Sequence, residues 1–186
     1  MQMSEGFIDL LCRHAADSPE RIFARHEGAA VSFGDLERAS ALLAVAIREK
    51  GVKRGDRIAV VMRNSPFAMA MIYAITRAGN VWVPVNAALK GEGLEYIIGH
   101  SDPALIVADE EFAELIDGCR AASGVPVITN RERDLPAGTV AFDEALPLPD
   151  DAAAIMYTSG TTGPAKGVIV THRMLRLAAE AVALCS

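Results

Sequence analysis

The residues best suited to chemistry lie in one segment near the end of this 186-residue chain. Residues 157–167 read Tyr-Thr-Ser-Gly-Thr-Thr-Gly-Pro-Ala-Lys-Gly and lie between two short apolar runs. Hydroxyl groups and the Lys166 ammonium can donate to anionic oxygens, and the three glycines allow backbone N–H groups to approach a ligand closely. This composition predicts a loop that binds phosphate groups.

The order of residues differs from that of a Walker A loop, in which Gly-Lys-Ser/Thr opens a helix. Here Gly167 follows Lys166, and the β-branched run 168–170 predicts a strand. Lys166 is the candidate catalytic residue, and the candidate phosphate-binding residues are Thr158, Ser159, Gly160, Thr161, Thr162, Gly163 and Lys166. From composition alone, a hairpin loop without a ligand is the alternative.

The elements that must position this segment alternate in type. Hydrophobic spacing and turn residues predict a helix over 7–15, a hairpin over 21–32 and a helix over 35–50, followed by helices over 66–78, 92–99 and 110–119. Continuous apolar strands are predicted over 57–62, 81–85, 104–107, 125–128 and 152–156. Such strands, separated by helices, indicate an α/β fold with a mostly parallel sheet and helices on both faces. We expect Val60, Val83 and Ile106 to be buried at its centre.

Two further segments carry structural predictions. The connection over 129–150 is rich in Pro, Gly and charge, with one short strand at Thr139–Phe142. His172 is predicted to lie in the first turn of a last helix rather than to act as a general base. We expect the apolar face of that helix to be exposed and to support self-association; it comprises Leu175, Ala178, Ala179, Val182 and Cys185.

Composition argues against several classes of function. Eighteen Lys and Arg against 24 Asp and Glu give a net charge of −6, which disfavours a nucleic-acid or anionic-membrane surface. No apolar run approaches the roughly 18 residues that a membrane span needs. The scattered histidines and cysteines form no metal motif. We expect the three cysteines, Cys12, Cys119 and Cys185, to be reduced thiols. Without a secretory signal pattern, a cytoplasmic location is expected.

Three stretches resemble one known family. Residues 157–168, YTSGTTGPAKGV, resemble the phosphate-loop signature of the adenylate-forming enzymes, which include acyl- and aryl-CoA synthetases, peptide-synthetase adenylation domains and luciferases. The family more often has proline immediately before the lysine, whereas Pro164 here lies one place earlier. Residues 31–36 and 77–86 are similar to the family's early Ser/Thr-aromatic segment and to its "AGxxxVPV/I" junction.

The resemblance implies a function for a longer parent protein of which this chain would be a part. The parent protein would activate a carboxylic acid with ATP and Mg²⁺ to an acyl-adenylate and then form a thioester with coenzyme A. Residues 83–89 look more like the acyl- and aryl-CoA synthetases than like amino-acid adenylation domains. The alternatives are an adenylation-domain fragment and a non-catalytic nucleotide-binding or assembly module. We expect residues 1–186 to be an N-terminal α/β subdomain that is truncated at its C-terminal end and inactive alone.

Overall fold

The computed structural model describes residues 6–131, 135–158 and 164–184, with side chains up to residue 181. Its helices are α1 (Phe7–Asp17), α2 (Phe33–Glu49), α3 (Pro66–Arg77), α4 (Glu92–Ser101), α5 (Ala113–Asp117) and α6 (His172–Leu184). Its strands are β1 (Ile22–His26), β2 (Ala29–Ser32), β3 (Arg57–Val61), β4 (Val81–Pro84), β5 (Leu105–Asp109), β6 (Val127–Asn130), β7 (Ala152–Thr158) and β8 (Lys166–Thr171). Two short 3₁₀ helices, Glu110–Phe112 and Arg120–Ala122, flank α5.

The predicted hairpin and the helix that follows it are confirmed. Strands β1 and β2 pair antiparallel, and Ser32 ends β2 and caps α2. The Ser32 hydroxyl accepts a hydrogen bond from the Asp35 backbone N–H at 3.1 Å and donates to its carboxylate at 2.7 Å. The bond from Ser32 lowers the pKa of the Asp35 carboxyl group. This reciprocal cap explains why α2 begins directly where the strand ends.

The central sheet has the strand order β6-β5-β3-β4-β7-β8. Strands β3 to β6 run parallel, with Ile58 opposite both Trp82 and Leu105. Val60, Val83 and Ile106 are all buried, as predicted from their positions in apolar runs. The α/β prediction is therefore confirmed at the centre of the sheet.

Alternate residues of β3 face two separate apolar clusters. Ile58 and Val60 pack with α1, α2 and α3 on one face, whereas Ala59 and Val61 pack with α4 and α5 on the other. This layering confirms the prediction of helices on both faces of the sheet. Among the described residues, no helix is long and apolar enough to cross a bilayer.

The two strands that flank the predicted phosphate loop close one edge of the sheet. Strand β7 runs parallel to β4, with Ala154 opposite Trp82, and β8 returns antiparallel along β7. The sheet is thus mostly parallel, with one antiparallel strand at this edge. The outer edge of β8 has no strand partner among the residues that the structure describes.

The strand expected at Thr139–Phe142 is wrong. This part of the connection has no strand structure and is held by side chains instead. Phe142 packs against the cluster on the α1–α3 face, and the Arg48 guanidinium lies 6.0 Å from the centre of its ring. The β-favouring residue types at 139–142 therefore reflect an apolar anchor rather than a backbone ladder.

The apolar face expected on the last helix is also corrected. Among the side chains of α6 that the structure describes, the large exposed apolar ones are Met174 and Leu177, at 53% and 57% exposure, whereas Leu175 is half-buried. The side chain of His172 is buried, and this sets the rotation of the helix so that Leu175, three residues later, turns inward. Ala178 and Ala179 are exposed as expected, while the side chains of 182 and 185 lie outside the described set.

The turn between α3 and β4 depends on Gly79. This residue has φ +64°, and its N–H donates to Thr76 O at 3.0 Å. A Cβ at this position would lie 2.7 Å from Nη1 of Arg54, whose guanidinium donates to Ala145 O at 2.6 Å. Both the backbone conformation and the nearby side chain therefore require glycine here.

Replacing Gly79 by alanine should destabilise the fold more than the same change at Gly51. Gly51 also has a positive φ, of +80°, but a Cβ there would meet nothing within 4 Å. We expect Gly51→Ala to lower the free energy of unfolding by about 1 kcal/mol through backbone strain, and Gly79→Ala by about 2 kcal/mol because Arg54 must also move. Urea unfolding of both variants checks this, and equal losses would contradict the role given to Arg54.

Candidate functional site

The hairpin of β7 and β8 brings together the two ends of the predicted phosphate loop. Thr158, the last residue of β7, lies directly opposite Lys166, the first residue of β8, and both side chains are exposed. The candidates Ser159, Gly160, Thr161, Thr162 and Gly163 lie outside the described residues. The structure therefore places Thr158 and Lys166 side by side at one end of the hairpin.

Gly167 has a packing role that the sequence analysis did not identify. It lies within β8 opposite Tyr157 and is not among the glycines with a positive φ. A Cβ at Gly167 would lie 2.9 Å from Cγ2 of Ile155 and 3.4 Å from Cζ of Tyr157. Glycine at this position thus leaves space for the Ile155 side chain, with the Tyr157 ring at ordinary contact distance, and the argument from close backbone approach did not include this packing role.

Tyr157 makes a contact with α4 that links the hairpin to the body of the fold. Its hydroxyl oxygen lies 2.7 Å from Nδ1 of His100, and the two rings meet edge to face. Tyr96 stacks on the imidazole at a centroid distance of 5.4 Å. Burial, followed by the nearby Tyr96, raises the pKa of the Tyr157 phenol. Sequence spacing gave no signal for His100, which lies 57 residues from its partner.

His172 is the first residue of α6, as predicted, and its side chain is only 6% exposed. Its backbone N–H donates to Asp151 O at 3.2 Å, while its Nε2 atom has no hydrogen-bond partner among the described residues. Burial is the largest influence on this group and lowers the pKa of the imidazole. The residue borders a cavity of about 180 Å³ between α6, the start of α1 and residues 146–149.

Two arginines, one in α2 and one between α2 and β3, hold the long connection 129–150 against the body of the fold. The Arg48 guanidinium pairs with both carboxylate oxygens of Glu144 at 2.8 Å, and this pairing lowers the pKa of Glu144. Arg54 donates to Ala145 O and lies 3.5 Å from the carboxylate of Asp151, next to the start of β7. These contacts hold the connection up to the residue before β7, and sequence spacing gave no signal for them.

The described residues contain no cluster of three or more His, Cys, Asp or Glu that could hold a metal ion. Cys119 is a buried free thiol whose pKa is raised chiefly by burial, and Cys12 is a half-buried free thiol. Cys185 lies outside the described residues. The donors gathered at the hairpin are thus a hydroxyl and an ammonium group, which suit an anion.

A mostly parallel α/β sheet whose edge hairpin flanks a Ser/Thr/Gly-rich sequence agrees with the resemblance to the adenylate-forming enzymes. The chain belongs to the AMP-binding enzyme family, whose sequence profile matches residues 11–185. It is similar to the structure of the anthranilate CoA ligase AuaEII in complex with anthranoyl-AMP, with a TM-score of 0.84 and 19% sequence identity. That match covers 97% of this chain and 37% of the ligase, and at this identity it establishes the fold alone.

Two curated relatives are similar to this chain over most of its length. A feruloyl-CoA synthase from an Amycolatopsis species is 35% identical over 91% of this chain. The AMB antimetabolite synthetase AmbB of Pseudomonas aeruginosa is 35% identical over 85% of the chain. The matches cover 34% and 12% of those proteins, so this chain spans about a third of the feruloyl-CoA synthase.

The buried His172 should make stability depend on pH. In the unfolded chain the imidazole has an ordinary pKa, near 6.5, whereas burial lowers the pKa in the folded chain. The unfolded state therefore takes up the proton first, so the stabilising contribution is complete above pH 6.5 and is lost as the pH falls below it. Unfolding free energies between pH 5 and 8 should fall more steeply toward acid for the native chain than for His172→Gln. Parallel curves for the two proteins would contradict this assignment.

Proposed function

We propose that this chain is the N-terminal α/β part of an ATP-dependent acyl-CoA ligase and that residues 158–166 bind the phosphates of ATP. The observation that carries the proposal is the pairing of Thr158 with Lys166 at the two ends of the sequence Ser-Gly-Thr-Thr-Gly-Pro-Ala. Membership of the AMP-binding family and the similarity to a feruloyl-CoA synthase support it.

The proposed chemistry begins with the attack of a substrate carboxylate oxygen on the α-phosphorus of ATP. The bond between this phosphorus and the oxygen that bridges to the β-phosphate breaks, and pyrophosphate leaves with increasing negative charge. The Lys166 ammonium and the hydroxyls of Thr158, Ser159, Thr161 and Thr162 are the donors that would stabilise this charge. Backbone N–H groups at Gly160 and Gly163 would add to them.

Mg²⁺ and coenzyme A would take part in different steps of the proposed reaction. Mg²⁺ commonly reaches such sites bound to substrate phosphates, and we assign no metal ligand to this chain. In the second half of the proposed reaction, the coenzyme A thiol releases its proton to solvent and its sulfur attacks the acyl carbonyl, and AMP leaves with the electrons of the broken acyl–phosphate bond. Residues for the acid and for coenzyme A would come from the part of the relatives' length that this chain does not span.

An amino-acid adenylation domain is the second candidate function. The match to AmbB, at the same identity as the match to the feruloyl-CoA synthase, favours it. We propose the CoA ligase because residues 83–89, Val-Pro-Val-Asn-Ala-Ala-Leu, resemble that branch more closely. Cytoplasmic location, self-association through exposed apolar side chains and the lack of a nucleic-acid partner stay predictions from the sequence.

Removing the Lys166 ammonium should weaken ATP binding. A hydrogen bond between charged groups contributes about 1.5–3 kcal/mol, and Lys166 is exposed, so we expect Lys166→Ala to raise the Kd for Mg-ATP about tenfold. Isothermal titration of the 186-residue chain with Mg-ATP measures this. Lys50→Ala is the matched control, because Lys50 is exposed between α2 and β3, at the opposite end of the parallel strands from Lys166. Equal affinities of the Lys166 and Lys50 variants would remove Lys166 from the site.

The acid substrate distinguishes the candidate functions. In the full-length protein, we expect pyrophosphate release to require an organic acid and coenzyme A to be consumed in thioester formation. Pyrophosphate exchange that responds only to amino acids, with coenzyme A untouched, would favour the adenylation domain. If Mg-ATP binds but no organic acid or amino acid tested supports pyrophosphate exchange, a non-catalytic module would be indicated instead.

A further inference from the structure

The contact between the hairpin and α4 suggests a role for His100. The imidazole Nδ1 and the Tyr157 hydroxyl lie at hydrogen-bond distance, 2.7 Å, and the ring of Tyr96 covers the imidazole at an interplanar angle of 24°. The imidazole of His100 thus stacks on Tyr96 while it contacts the hydroxyl of Tyr157. Neither His100 nor Tyr157 belongs to the set of donors proposed to touch phosphate.

The helix that carries His100 is firmly attached to the sheet. Leu94, Ile97 and Ile98 of α4 are buried in the apolar cluster on this face. At the C-terminal end of the helix, the Arg57 guanidinium donates to Ser101 O and to Asp102 O, the latter at 2.8 Å, and pairs with the Asp102 carboxylate at 2.9 Å. Because Arg57 begins β3, the last turn of α4 is tied to the central strand.

The ladder that joins the β7–β8 hairpin to the central sheet is short. The register between β4 and β7 has one pair, Trp82 opposite Ala154, and the described residues beyond Ala154 are paired only with β8. Beyond Ala154, Ile155 and Tyr157 pack against the cluster that contains the α4 residues, and Tyr157 adds a polar contact with His100 of that helix.

We propose that His100 is a positioning residue: by holding the Tyr157 phenol, it fixes the adjacent pair Thr158 and Lys166 against α4. Tyr157 directly precedes Thr158, and its ladder partner Gly167 directly follows Lys166, so a shift of Tyr157 displaces both. The consequence for ATP rests on the proposed function, whereas the consequence for the hairpin does not.

A double-mutant cycle isolates this one contact. The phenol of Tyr157 also lies near Ser101 and Arg57, which influence its pKa, so a single Tyr157→Phe change removes more than one interaction. The four proteins are the native chain, His100→Phe, Tyr157→Phe and the double variant. His100→Phe keeps a ring against Tyr96 and removes the Nδ1 atom. The cycle therefore reports the coupling between residues 100 and 157.

Amide hydrogen exchange across residues 156–158 and 166–168 is the first measurement. A neutral hydrogen bond contributes enough for about a two- to tenfold change in an opening equilibrium. We expect the amide exchange of each single variant to be faster by such a factor. The factor for the double variant should equal that of the His100→Phe or Tyr157→Phe protein rather than the product of the two single-variant factors. Unchanged exchange in β3 and β5 shows that the effect is local. Factors that multiply in the double variant would overturn the proposal.

A conservative variant and a surface control complete the design. His100→Asn places an amide group near the position of Nδ1 and should restore slow exchange in the hairpin, which loss of α4 packing alone would not allow. His26→Phe, at a half-buried histidine in β1, should leave amide exchange in the β7–β8 hairpin unchanged. Failure of the Asn rescue, or an equal effect of His26→Phe, would contradict the role of His100.

Binding of Mg-ATP to the same proteins separates this proposal from the proposed function. Coupled exchange together with a coupled two- to tenfold rise in Kd supports both. Coupled exchange with an unchanged Kd supports the positioning role of His100 and contradicts the phosphate-binding role of the hairpin. Uncoupled exchange overturns the positioning role whatever the Kd values are.

Discussion

Burial of β3 from both sides is the constraint on which the rest of the structure depends. Because successive side chains of a strand point to opposite faces, Ile58 and Val60 belong to one apolar cluster and Ala59 and Val61 to another. Each cluster needs its own layer of helices, so α1–α3 and α4–α5 must lie on opposite faces. The parallel neighbours β4 and β5 then fill the centre, and β7 with its hairpin can only be added at an edge.

The same constraint explains which parts of the fold could be predicted from the sequence. A strand buried on both faces has a continuous apolar run, and a covering helix has apolar residues at helical spacing. Both elements can therefore be recognised from a short stretch of sequence. The false strand at Thr139–Phe142 shows the limit. Phe142 is apolar because it packs beside Arg48, and a short apolar segment looks the same whether its backbone pairs with a strand or only its side chain is buried.

At the candidate site, residue types were predictable and spatial partners were not. The hydroxyls and Lys166 are contiguous in the chain, so their chemistry could be inferred from composition and order. Their phosphate-binding role is still a prediction. His100 is brought to Tyr157 only because α4 packs across the sheet, and that packing is a property of the whole fold. The Arg54 contacts to the connection before β7 are non-local in the same way.

Within the segment 157–167, two kinds of requirement coexist. The inner residues offer hydroxyl, amide and ammonium donors, whereas the first and last residues are engaged in packing. Ile155 needs a glycine on the neighbouring strand because a Cβ at Gly167 would lie 2.9 Å from its Cγ2 atom, whereas the Tyr157 ring would be at ordinary contact distance, 3.4 Å. The described ladder joins β7 to β4 through one register pair, Trp82 opposite Ala154, so side-chain contacts contribute to the orientation of the hairpin. Tyr157 provides such a contact with α4 at the place where the donors begin.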